Sequence, residues 1–151
     1  MATLRDTRSS YGSGMDVSMR MDNPAVMYAR LFGVVLTIVG VLGFFYTTDQ
    51  DVVKSMLGFD VNLTHNIVHL ATGILGLAAG FSMLVYARAY ALVFGVVYTI
   101  LGIWGLAVGD GFDPLGVLGS VNMGDNFLHL VIGVLGIGAW IATTPRTRDM
   151  V

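Results

Sequence analysis

Residues 62–80 read NLTHNIVHLATGILGLAAG, and residues 122–140 read NMGDNFLHLVIGVLGIGAW. Each stretch opens on an Asn, then carries His or Asp, a second Asn and a His before it runs into spaced glycines. In a helix, Asn62, Asn66, His69, Gly73, Gly76 and Gly80 follow spacings of 4, 3, 4, 3 and 4 and form one stripe. Asn122, Asn126, His129, Gly133 and Gly136 form the matching stripe. Both segments are otherwise apolar. Polar groups in a bilayer face protein, because lipid offers them no partner. These two helices therefore belong in a membrane, with their stripes turned inward and toward each other.

The rest of the chain agrees. Of its 151 residues, 55% are hydrophobic and 12% charged; a soluble domain carries about 25% charged residues. Residues 31–48, 61–87, 89–109 and 126–145 hold no Asp, Glu, Lys or Arg. A helix needs about 20 apolar residues to cross the hydrocarbon core. One such run fits a buried core helix of a soluble protein; four in a chain of this length do not. The expected fold is an all-α membrane protein of four transmembrane helices, spanning residues 24–144, between cytoplasmic tails at 1–23 and 145–151.

Local signals place the ends. Pro24 suits a first helical turn, capped by Asp22 or Asn23, and that helix runs to about Tyr46. In the loop TTDQDVVKSMLGFDV, residues 51–57 read as a short amphipathic helix on the membrane surface, closed by Gly58. Asn62 caps a second helix that reaches about Tyr86. The turn VYARAY at 85–90 makes the second and third helices antiparallel neighbours. The third ends near Val108. The fourth starts at Asn122 and stops before Pro145.

The chain is also an internal repeat. FGVVLTIVGVLG from Phe32 matches FGVVYTILGIWG from Phe94. Gly33, Thr37, Gly40 and Gly43 fall on Gly95, Thr99, Gly102 and Gly105. The two stripes match in the same order. Each unit, 24–86 and 87–144, is a helix pair, so the repeats run parallel about an axis along the membrane normal. Small residues let membrane helices approach closely. This gives Gly33, Gly40, Gly73, Gly76, Gly95, Gly102, Gly133 and Gly136 a packing role.

Lys and Arg set the orientation. With four spans, Arg5, Arg8, Arg20, Arg30, Arg88, Arg146 and Arg148 lie on one side, and Lys54 is the only such residue on the other. Both termini are expected in the cytoplasm of a multi-pass plasma-membrane protein, with acidic loops outside. Tyr28, Tyr46, Tyr86 and Tyr90 sit near span ends, as an interfacial belt requires.

The motifs N-x-x-H-N-x-x-H-L-x-x-G, FGVVY-x-x-x-G and N-x-x-D-N-x-x-H-L-x-x-G resemble those of the domain of unknown function 4383 family. The resemblance covers roughly residues 24–143. It implies a small four-helix membrane protein of bacteria or archaea and carries no established activity.

The polar ends allow two chemistries. Asn62 and Asn122 cap helices, and Asp125 completes a capping box. Asn62, Asn66, His69, Asn122, Asn126 and His129 can then form an interhelical polar cluster that locks the bundle. Alternatively, His65 and His69 share a helix face, as do Asp125 and His129. Those four can hold a divalent metal, which imidazole and carboxylate suit. A small transporter or channel subunit is a further alternative. No nucleophile has a base at hand, so no enzyme is expected. No basic patch points to nucleic acid. There is no Cys and so no thiolate site. The leading expectation is a structural or accessory membrane component without a cofactor, packing in the bilayer with itself or with a partner protein.

Overall fold

The computed structural model describes residues 23–116, 119 and 121–143. The expected tails at 1–23 and 145–151 lie outside these except for Asn23, and so do the arginines they carry. The described chain is four helices and one small hairpin: α1 Pro24–Tyr46, β1 Lys54–Met56, β2 Phe59–Val61, α2 Leu63–Phe81, α3 Leu84–Val108 and α4 Met123–Ala142. A short 3-10 turn, Pro114–Gly116, interrupts the second long loop. Three helices, α1, α3 and α4, are long and apolar enough to cross a membrane.

Caps fix the helix starts. Asn23 Oδ1 accepts from Ala25 N at 3.1 Å, with Pro24 in the first turn. Asn62 Oδ1 accepts from His65 N at 2.9 Å. Asn122 and Asp125 form the full capping box, each side chain accepting from the other's backbone N–H at 3.1 Å. Thr143 Oγ1 accepts from Ala25 N at 3.0 Å and donates to Asn23 Oδ1 at 2.9 Å, which ties the end of α4 to the start of α1.

The packing is inverted relative to a soluble bundle. Among the described residues, the largest fully buried side chains are Val61, Val121, Asn62, Asn66 and Asn126, while Ile38, Phe45, Ile103 and Ile141 stand exposed on the helix exteriors. Small and polar residues inside, with large apolar residues outside, is how helices associate where lipid rather than water surrounds them.

α1 packs along α2, and α3 along α4; contacts between the two pairs are sparser. The glycines of each stripe face the other helix of their own pair, so of the α2 and α4 stripes only the histidine ends meet, as the sequence suggested, and the glycine ends do not. A Cβ on Gly33 would lie 2.7 Å from Leu77 N, and one on Gly95 2.7 Å from Ile137 N. Gly40 and Gly102 sit against the backbones of Leu70 and Leu130, Gly73 and Gly133 against Thr37 and Thr99, and Gly76 against Ala29 O. Gly136 sits against Ala91 O and Gly95. Thr37 and Thr99 donate to Gly33 O and Gly95 O at 2.7 Å, so the hydroxyls that face Gly73 and Gly133 across the seam are satisfied within their own helix. Close approach needs small residues on both helices, and α1 with α2, like α3 with α4, supplies glycines on both sides of its seam.

Three further expectations change. Residues 51–57 are not an amphipathic helix. Instead β1 and β2 pair as a tight hairpin, with Met56 opposite Phe59 and Lys54 opposite Val61. Its turn residues Leu57 and Gly58 have φ of 55° and 91°, the left-handed pair that a two-residue hairpin requires. Met56 and Val61 are buried beneath it. Second, α2 ends at Phe81, before Tyr86. Ser82 Oγ donates to Ala78 O at 2.5 Å, satisfying a terminal carbonyl, and α3 begins after Met83. The connection is thus Ser82–Met83, and Arg88 lies within α3.

Third, Tyr28 and Tyr90 are buried rather than interfacial; Tyr46 and Tyr86 are exposed. Tyr28 donates to Ile132 O on α4 at 3.1 Å, and Tyr90 donates to Thr72 O on α2 at 3.2 Å. Their rings lie 6.1 Å apart, centroid to centroid. These two bonds cross between the helix pairs. Bonds of this kind between membrane helices average about 0.6 kcal/mol. Tyr28→Phe with Tyr90→Phe should therefore lower stability by about 1 kcal/mol, read from denaturant unfolding in detergent, with the helix content unchanged.

Candidate functional site

The first two turns of α2 and α4 bring three imidazoles together. His65, His69 and His129 are all buried, and one ring nitrogen from each lies within 4.8 Å of the others. The His65 and His69 rings are 4.3 Å apart, one turn apart on α2. His129 reaches in from α4, 6.1 Å from His65. Tyr98 of α3 stands edge-on to His129 at 5.2 Å. His69 is about 10 Å along the helix from its cap, at ~1.5 Å per residue.

The hairpin roofs this cluster, and the backbone of one residue, Asp60, does most of the positioning. His65 Nδ1–H donates to Asp60 O at 2.8 Å. A carbonyl can only accept, so His65 carries its proton on Nδ1 and its lone pair on Nε2. The Asp60 N–H donates to Asp125 Oδ2 at 2.9 Å. Asn122 Nδ2 donates to Gly58 O at 2.9 Å. The hairpin thus links the N-termini of α2 and α4, whose side chains hydrogen-bond to its backbone.

Asp125 is buried, and its Oδ2 serves two backbone N–H groups, those of Asp60 and Asn122. It is not one of the three mutually close ligand groups. The two amides also stay apart from the cluster. Asn66 Nδ2 donates to Thr47 O at 3.1 Å, and its carboxamide lies over Gly43. Asn126 lies over Gly105 in the same way. Each amide therefore works within its own helix pair. Asn62 Nδ2 donates to Gln50 O at 3.1 Å, holding the first loop. Thr64 Oγ1 and Gln50 Oε1 pair beside it.

His69 Nδ1 and His129 Nδ1 are buried without a hydrogen-bond partner. An orphaned polar atom of this kind costs about 1–3 kcal/mol unless something satisfies it.

Two cavities flank the cluster. One of about 180 Å³ lies between α1, α4 and the hairpin, with His69, Tyr98, Asp125 and His129 on its polar side. The other, about 80 Å³, lies between α2 and α3 and is lined by His65, His69, Tyr98 and His129. His69, His129 and Tyr98 border both. Periodicity alone did not single out Tyr98 or the Asp60 peptide. Available signals were the Leu57-Gly58 pair between residues of alternating polarity, and Tyr98 standing where the first repeat has Leu36.

Apolar helices enclosing a small polar cluster define the class of helical membrane proteins. The chain belongs to the family described as a domain of unknown function (DUF4383), which matches residues 27–142. No curated protein and no solved structure matches it.

Proposed function

We propose that this is a four-span membrane protein that binds a divalent transition-metal ion through His65, His69 and His129. The observation that carries this reading is the buried convergence of three imidazoles, only one of which spends an N–H on the protein. Imidazole suits zinc and its neighbours. A ring N–H held by a backbone carbonyl is the usual second-sphere support of a histidine ligand, and Asp60 O provides it for His65. Tetrahedral bonds of ~2.0–2.1 Å put ligand nitrogens about 3.4 Å apart, so the rings must close inward from their present 4.8 Å limit. The flanking cavities leave them room to turn.

A purely structural lock is less well supported. It needs hydrogen bonds between the α2 and α4 stripes, and among the described residues none joins His69 or His129 to Asn66 or Asn126. Protein purified in mild detergent without chelator should carry close to one equivalent of metal by elemental analysis. A protein that is empty, and stays empty after incubation with Zn²⁺ or Co²⁺, returns the cluster to a packing role.

The fourth span is α2. At ~1.5 Å per residue its 19 residues reach about 28 Å, close to the ~30 Å hydrocarbon core. Its polar residues face inward, while Ile67, Ile74, Leu75 and Phe81 are exposed. The two helix pairs then form parallel repeats about a pseudo-twofold axis. The paired glycine contacts and the paired Tyr28 and Tyr90 bonds support that symmetry. Arg30 and Arg88 mark the cytoplasmic side, and the hairpin with Lys54 the outer side. The chain has no native Cys, so single cysteines report topology directly. A membrane-impermeant thiol reagent on intact cells should label Leu57→Cys and spare Met83→Cys until the membrane is opened; the reverse pattern inverts the orientation.

A further inference from the structure

Resting on that metal reading, we infer that the bound ion keeps an open coordination position toward the 180 Å³ cavity, and that this position takes a small neutral ligand of about one ring with a single donor atom. Three protein ligands are one fewer than a closed tetrahedral set, and sites of that kind hold an exchangeable fourth ligand. The nearest carboxylate, Asp125, has Oδ2 committed to two backbone N–H groups and is not among the mutually close ligand atoms.

The cavity gives the ligand its chemistry. Its walls include Phe32, Leu36, Met56, Phe59 and Ile132, which select an apolar body. Its polar side holds His69, Asp125 and His129, where a donor atom can reach the ion. The Asp125 carboxylate beside that position accepts an N–H or O–H from the ligand and repels an anion. An engineered apolar cavity of ~150 Å³ holds a benzene ring, so a volume of about 180 Å³ admits one ring and little more. Exposed apolar residues surround the cavity's helices, so a ligand of this type arrives from the lipid phase, where it partitions. On binding, it displaces a metal-bound water.

The test uses the full-length protein in detergent, loaded with Co²⁺. A visible d–d absorption band reports the metal. Imidazole, a neutral single ring with one donor nitrogen, is then titrated against azide, a small anion. The expected result is a saturable shift of the band by imidazole at a concentration at least tenfold lower than azide requires. Leu128→Trp, placed at the cavity wall, should abolish the imidazole shift and leave the cobalt band in place. Leu128→Ala should keep both. No cobalt band overturns the metal reading and this inference with it. A cobalt band that neither ligand moves overturns this inference alone, and so does one that azide moves at lower concentration than imidazole.

Discussion

His129→Asn should weaken Zn²⁺ binding by about 100-fold or more, measured by competition with a chromophoric chelator in detergent. Apparent binding free energies of roughly 10–16 kcal/mol for protein zinc sites are shared among about four ligands. Losing one then costs about 3 kcal/mol, and each ~1.4 kcal/mol is a factor of ten. The imidazole of His129 is the only one of the three supplied by α4, so its removal also uncouples the site from the second helix pair. Asn retains a polar amide at the same depth and leaves the Asn122–Asp125 cap intact. Without metal, the variant should unfold within about 1 kcal/mol of the parent, because the packing lost with the ring is offset by removal of its unpartnered Nδ1. With metal at 100 times the dissociation constant, the parent gains ~2.7 kcal/mol and the variant gains nothing. Equal zinc affinity in the two proteins would falsify the three-histidine site.

Gly133→Val should have the second large effect, on folding rather than binding. A Cβ at Gly133 meets the backbone nitrogen and the hydroxyl of Thr99 in α3. The nitrogen belongs to a helix backbone and cannot rotate away, and a branched side chain adds two methyl groups. Overpacking of a tight seam costs about 1–3 kcal/mol, and here the upper end applies, because α3 must move bodily off α4. The expected outcome is poor recovery of folded protein from detergent and a lowered unfolding midpoint. Gly138→Ala is the control: no atom stands within 4 Å of its added Cβ. It should change stability by no more than about 0.5 kcal/mol. If the two variants unfold together, the Gly133 seam does not hold α3 and α4.

The two predictions separate the structural and chemical parts of one polar stripe. Its outer half, His69 or His129, points across the bundle. Its inner half, Gly73 and Gly76 or Gly133 and Gly136, presses on the helix of the same pair. Sequence periodicity puts both halves on one side of a helix without resolving this change of neighbour. The residues differ in reach: a glycine meets only what touches its backbone, whereas an imidazole extends to a group that no backbone approaches. That is why His65 and His129 meet although α2 and α4 share few backbone contacts.

Much of the molecule is written locally. The start of α1 at Pro24, the Asn62 and Asn122 caps, the capping box at Asp125 and the ends near Tyr46 and Val108 follow from cap chemistry and apolar run length, which act over a few residues. The family assignment follows from the same motifs. Only the tertiary structure turned residues 54–61 into a hairpin over the bundle end, buried Tyr28 and Tyr90 between the helix pairs, and gathered His65, His69 and His129 while leaving Asp125 to the backbone of Asp60. The hairpin pairs locally, but its place over the bundle end and the other outcomes depend on partners distant in sequence, and helical periodicity names a face without naming what lies opposite.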